Sequence, residues 1–109
     1  MRVILEECLP RRLGLELPGH FVSTVPQAGW AGISHGKLLA RISGNYDAFV
    51  TVDKNLPAQQ NTEGLHFGVI LLRANSNQLT DLRPLLPEIL ATLANLKPGQ
   101  IAVIPSGKS

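Results

Sequence analysis

Residues 1–13 run Met1-Arg2-Val3-Ile4-Leu5-Glu6-Glu7-Cys8-Leu9-Pro10-Arg11-Arg12-Leu13. Val3–Leu5 is apolar with no polar alternation, the pattern of a strand buried on both faces. Two carboxylates end that strand abruptly. Pro10 then opens a helical segment, where its fixed φ and missing donor are tolerated. Leu9, Leu13 and Leu17 recur at four-residue spacing, and Arg11, Arg12 and Glu16 fall off that stripe. Pro18-Gly19 stops it. A buried strand feeding directly into a helix is the opening of a β-α-β unit, and the rest of the chain repeats the scheme.

Strands are expected at Phe21–Val25, Ala48–Val52, Phe67–Leu72 and Ile101–Ile104, all apolar or β-branched. A glycine-rich loop, Pro26 to Gly36, carries Trp30. A short helix follows over Lys37–Ile42, with Leu38, Leu39 and Ile42 inward. Lys54–Gly64 is polar and is expected to form a loop with a helical turn. Thr80 is the expected cap of the longest helix, with an initial turn over Thr80–Arg83 and regular helix from about Pro87. Lys97-Pro98-Gly99 ends it. The order is β-α-β-α-β-(loop/α)-β-α-β. The fold class is therefore α/β: a three-layer α/β/α sandwich around a mostly parallel five-stranded sheet. Residues 1–104 form one domain and 105–109 a flexible tail.

Composition bounds the function. Of 109 residues, 44% are hydrophobic and 17% charged, enough apolar material for a core and too little charge for disorder. Only five residues are aromatic (Phe21, Trp30, Tyr46, Phe49, Phe67), so the core is mainly aliphatic. A formal net charge of +2 permits a nucleic-acid partner without pointing to one. Cys8 is the single cysteine, which excludes an intrachain disulfide and fits a reducing compartment. No apolar stretch approaches the roughly 20 residues that span a bilayer, and Val3–Leu5 is too short for a signal peptide. A cytoplasmic protein without membrane contact is expected.

In parallel sheets, ligands bind beyond the carboxyl ends of the strands, near the point where strand order reverses. The polar residues there are few: Glu6, Glu7 and Cys8 after the first strand, Asp53, Lys54 and Asn55 after the third, Arg73, Asn75 and Asn77 after the fourth. Carboxylates from neighbouring strand ends can share a hard divalent cation, which prefers oxygen ligands and keeps several waters. The competing reading is structural, because acidic residues favour helix N-termini for the dipole alone.

These strand-end motifs bear a family likeness. Val3-Ile4-Leu5-Glu6-Glu7-Cys8-Leu9-Pro10 resembles the start of PIN-like proteins of the DUF5615 (Mut7-C-like) kind, where an apolar strand runs into Asp-Glu-Asn-Leu-Pro. Tyr46-Asp47-Ala48-Phe49-Val50-Thr51-Val52-Asp53-Lys54-Asn55-Leu56 resembles their second hallmark, an apolar strand followed by Thr-x-Asp-x-Asp/Asn. Gly29-Trp30-Ala31-Gly32 and Leu38-Leu39 fall where that group has its loop and second helix. PIN domains of known activity are metal-dependent ribonucleases, often the toxin half of a toxin–antitoxin pair. The resemblance implies Mg²⁺ or Mn²⁺ held by Glu6 and Asp53, and single-stranded RNA as substrate. It further implies Asn55 and Glu7 positioning waters, Lys37 or Arg73 contacting phosphate, and an antitoxin-like protein partner. Three departures stand out. Glu6 is one methylene longer than the usual Asp, Asn55 lacks the charge of a second acid, and His35-Gly36-Lys37 opens the helix that usually brings another carboxylate. They motivate an alternative: a catalytically degenerate binding or regulatory module. An uncovered edge strand and Trp30 allow that module to be a homodimer. A small-molecule binder of flavodoxin-like or receiver type ranks third, since no phosphate-binding glycine loop is present.

Other residues carry weaker expectations. His35, beside a glycine in a loop, is a ligand or general base in one reading and simply exposed in the other, which loop polar residues favour. Arg11, Arg12, Arg41, Lys54 and Arg73 either gather on one rim to bind phosphates or are solvated faces. Trp30 either stacks on a base or covers a core edge. Gln59, Gln60 and Asn61 either orient substrate or bond their own loop backbone.

Overall fold

A computed structural model describes residues 1–53 and 64–105. Its strands are β1 (Arg2–Leu5), β2 (Phe21–Thr24), β3 (Ala48–Thr51), β4 (Gly68–Leu72) and β5 (Ile101–Ile104). Helices are α1 (Arg12–Leu15), α2 (His35–Ile42), α3 (Leu79–Leu82) and α4 (Leu86–Leu93), with a 3₁₀ turn at Arg83–Leu85 between the last two. The five strands form one sheet in the order β2-β1-β3-β4-β5, and every pairing is parallel. The fold class is α/β, as the alternation of apolar strands with helices requires.

The sheet is buried on both faces because its strands are apolar at consecutive positions, not alternate ones. Val3, Leu5, Ala48, Val50, Ile70 and Leu72 point to one face, where Leu13 of α1, Leu82 of α3 and Ile89 and Leu93 of α4 cover them. Ile4, Phe49 and Val69 point to the other, against Leu38, Leu39 and Ile42 of α2. The result is helix, sheet, helix. Close approach across these layers depends on two glycines. A Cβ on Gly14 would sit 2.7 Å from Val22 Cγ1, so glycine lets α1 lie against β2. A Cβ on Gly68 would meet Leu96 Cδ2 at 2.7 Å, so β4 must begin without a side chain.

The helices differ in detail from the periodic reading. The leucine stripe from Leu9 to Leu17 supports only one α-helical turn, because Gly14 weakens it and the flanks close as tight turns, such as Leu13 N to Pro10 O at 3.0 Å. The final helical region is broken where Pro84 and Pro87 remove donors. It starts at Leu79 with Gln78 in the capping position, so Thr80 lies inside the first turn. The polar loop expected over Lys54–Gly64 and the frayed tail lie, apart from Gly64 and Pro105, outside the described residues.

Strand order 2-1-3-4-5 has one reversal. The chain leaves β1 for β2 on one side, then passes back over β1 to β3, so β1 and β3 flank the switch point. The residues that follow those two strands are Glu6 and Val52-Asp53.

Candidate functional site

The side chains that converge at the β1–β3 switch point are Glu6, Thr51, Asp53 and His35. Glu6 is the first residue beyond β1, and its amide donates to Val50 O at 2.9 Å, continuing the ladder to β3. That bond fixes where its carboxylate emerges. Glu6 Oε1 then accepts from the Thr51 hydroxyl and from the Val52 amide at 3.3 Å. The same hydroxyl oxygen accepts the Asp53 amide at 3.1 Å. Thr51 is 1% exposed, and its single hydroxyl therefore ties the first acid to the backbone of the second. This is a positioning role.

Glu6 Oε2 is directed away from that network. It lies 3.7 Å from His35 Nε2, and Asp53 Oδ2 lies 3.6 Å from the same nitrogen. Both separations exceed hydrogen-bond length and fall within ion-pairing range. His35 thus stands between the two acids with all three side chains partly shielded from water. The side chains of Glu6 and Asp53 are 14% and 23% exposed, low enough that a charge brought between them is felt at reduced dielectric.

The crossover explains this meeting. Trp30 packs on the α2 side of the core and meets Tyr46 edge-to-face at 6.0 Å between centroids, anchoring the loop from β2. That is the core-covering role. The loop delivers His35 as the first residue of α2, at the carboxyl edge of the sheet. The reading of His35 as an exposed loop histidine is corrected accordingly. Lys37 is exposed two residues on, and positions i and i+2 of a helix face different directions, so the group between the acids is an imidazole and not an ammonium.

The other expected site residues that lie among the described ones are not brought in. Glu7 is exposed and its Oε1 accepts the Gly32 amide at 3.3 Å, bracing the loop before α2 and not facing the acids. Arg73 follows β4 with an exposed side chain, and among the described residues it makes no ion pair. Asn55, with Lys54, Gln59, Gln60 and Asn61, lies outside the described residues. The arginines do not gather on one rim. Arg11 and Arg12 belong to the α1 layer, and Arg41 sits in the last turn of α2, at the opposite end from His35.

Cys8 completes the surroundings. Its thiol donates to Glu6 Oε1 at 3.6 Å, and its carbonyl accepts Asn77 Nδ2 at 2.7 Å, which ties the loop after β1 to the loop after β4. Loss of hydration around the sulfur, then the Glu6 carboxylate beside it, pushes the thiol up to about 11. A thiol raised in this way holds a smaller thiolate fraction, so Cys8, although exposed, is a weaker nucleophile than an ordinary cysteine. We expect iodoacetamide at pH 8 to alkylate it about a hundredfold more slowly than a free cysteine, following the fall in thiolate fraction. Glu6→Gln should speed that alkylation in part, and a rate unchanged by the substitution would remove Glu6 as a cause and leave loss of hydration alone.

Among the described residues, no group of three or more His, Cys, Asp and Glu side chains is arranged to hold a metal ion. The donor set that does converge is two carboxylate oxygens and one imidazole nitrogen, with one oxygen of Glu6 already committed to Thr51 and Val52. Of these, only the two carboxylate oxygens are donors of the kind a hard cation takes, with water filling its other positions. Compared with protein-family models, curated proteins and solved structures, the chain matches none of them.

Proposed function

We propose that the Glu6/Asp53 pair holds a divalent cation, Mg²⁺ or Mn²⁺, and that the protein uses it to hydrolyse phosphodiesters of single-stranded RNA. The observation that carries this reading is the convergence of Glu6 Oε2 and Asp53 Oδ2 on one point at the switch between β1 and β3. The resemblance of the two strand ends to PIN-like proteins agrees with it. When bound, such a cation would lower the pKa of a coordinated water and neutralise charge on the phosphate.

The chain's own contribution is positional. Thr51 and the Val52 amide hold Glu6 so that only Oε2 is free to turn toward Asp53. His35 stands at the meeting point of the same two oxygens, so a cation held there would have to displace the imidazole from between them.

A fluorescent single-stranded RNA incubated with the protein and Mn²⁺ is expected to be cleaved, and a chelator is expected to stop it. Tight Mn²⁺ binding without cleavage would instead favour the degenerate binding module. His35 between the acids is the observation on that side, since its imidazole occupies the point where a cation would sit.

A further inference from the structure

The exposed apolar surface lies away from the acids. Among the described residues, the large hydrophobic side chains left exposed are Met1, Leu15 and Phe21, the last two at 83% and 66%. Leu15 and Phe21 border one place. Leu15 and Phe21 line a groove of about 440 Å³ along β2, together with Arg11, His20, Val22 and Gln27, and Met1 O accepts the Phe21 amide at 3.1 Å. β2 is an edge strand, and its side toward β1 is paired through the amides of Phe21 and Val25. Val22 and Thr24 therefore direct their backbone groups outward. The chain satisfies Thr24 itself, whose amide donates to Gln27 Oε1 at 2.9 Å and whose carbonyl accepts Ala28 N at 3.0 Å. The Val22 pair is left facing the groove.

The charges that flank this apolar strip are mostly cationic, although Asp47 lies beside Arg2, whose amide donates to its Oδ2 at 2.8 Å. Arg11 and Arg12 are exposed and, at four and three residues from Leu15, flank it on the surface of α1. The guanidinium of Arg2 lies over the Phe21 ring at 5.8 Å. Another nearby acid, Glu16, is already bound by Arg83 Nε at 3.1 Å. A two-fold pairing of this edge with itself would bring the arginines of two copies together, which costs free energy. A nucleic acid would find cations but would leave Leu15 uncovered.

We propose that the β2 edge docks an extended segment of another protein, with apolar side chains seated on Leu15 and Phe21 and flanking Asp or Glu residues paired with Arg11 and Arg12. The outward Val22 amide and carbonyl hold the segment's backbone. Solvent-exposed aromatic and arginine anchors of this kind dominate such contacts. The surface is separate from the Glu6/Asp53 pair and does not depend on it.

The test selects a displayed library of random peptides on the full-length protein, then measures binding of the enriched peptides by fluorescence anisotropy. Enriched peptides are expected to combine apolar residues with Asp or Glu. They should bind at least about tenfold more weakly to Phe21→Ser and to the charge reversal Arg11→Glu/Arg12→Glu. These positions are exposed, so the variants keep the native fold, which circular dichroism verifies. The proposal is overturned if no acidic peptides enrich, or if enriched peptides bind Phe21→Ser as tightly as the parent. It is equally overturned if sedimentation shows a dimer that Phe21→Ser dissociates, or if Phe21→Ser weakens binding of oligouridylate instead of peptide.

Discussion

Asp53→Asn is expected to reduce Mn²⁺-dependent cleavage of single-stranded RNA by at least a hundredfold, roughly the loss seen when even an outer partner of a metal ligand is removed. The substitution is nearly isosteric, so the Asp53 amide keeps its bond to Thr51 Oγ1 and the loop keeps its path. The negative charge is lost. With it goes half of the carboxylate pair facing His35 Nε2, and the remaining acid, Glu6, has one oxygen already engaged by Thr51 and Val52. Lys37→Ala should change cleavage far less, because that side chain is exposed on a different face of α2 from His35. Cleavage by Asp53→Asn at the parental rate would remove the assignment.

Phe49→Ala is expected to be the most damaging single core substitution. Phe49 is fully buried in β3, the central strand, where it pairs with Ile4 on one side and Val69 on the other. It packs on the α2 side of the sheet, whose described cover is a single eight-residue helix and the Trp30 loop. Neither can collapse into a ring-sized void without leaving Ile4 and Val69. Removing the ring should cost about 3–5 kcal/mol, which is a large part of the 5–15 kcal/mol that holds a typical domain together. Urea denaturation would show it as a lower midpoint at unchanged slope. A loss below about 1 kcal/mol would mean that the α2 layer repacks freely.

The two effects meet at the same strand, and this is where the sequence was most legible. Apolar runs at Val3–Leu5, Ala48–Val52 and Phe67–Leu72 specify burial on both faces, and helices between them leave a parallel sheet as the consistent answer. The acids that end β1 and β3 could be picked out because so few polar residues follow the strands. What a linear reading could not supply is the third partner. His35 follows a glycine-rich loop, and its place between Glu6 and Asp53 depends on the path from β2 over β1, which local periodicity does not encode. Thr51 was visible inside a strand motif, yet its hydroxyl gains meaning only beside Glu6, forty-five residues earlier. Glu7 misled for the opposite reason: it neighbours Glu6 in sequence, but successive residues turn apart at a strand end, and the Gly32 amide takes its carboxylate.

The helical boundaries failed on similar grounds. A leucine stripe is a statement about one face, and the stripe from Leu9 to Leu17 is satisfied by turns as well as by helix, since Leu9, Leu13 and Leu17 are all buried although only one turn is α-helical. Burial was legible there; regularity was not.

Calorimetric titration of Mn²⁺ into the parent protein and into Glu6→Gln tests the shared carboxylate site most directly. Saturable binding in the micromolar range by the parent, lost or weakened at least tenfold in Glu6→Gln, is the predicted result. Equal affinity of the two proteins, or no binding by either, would contradict it.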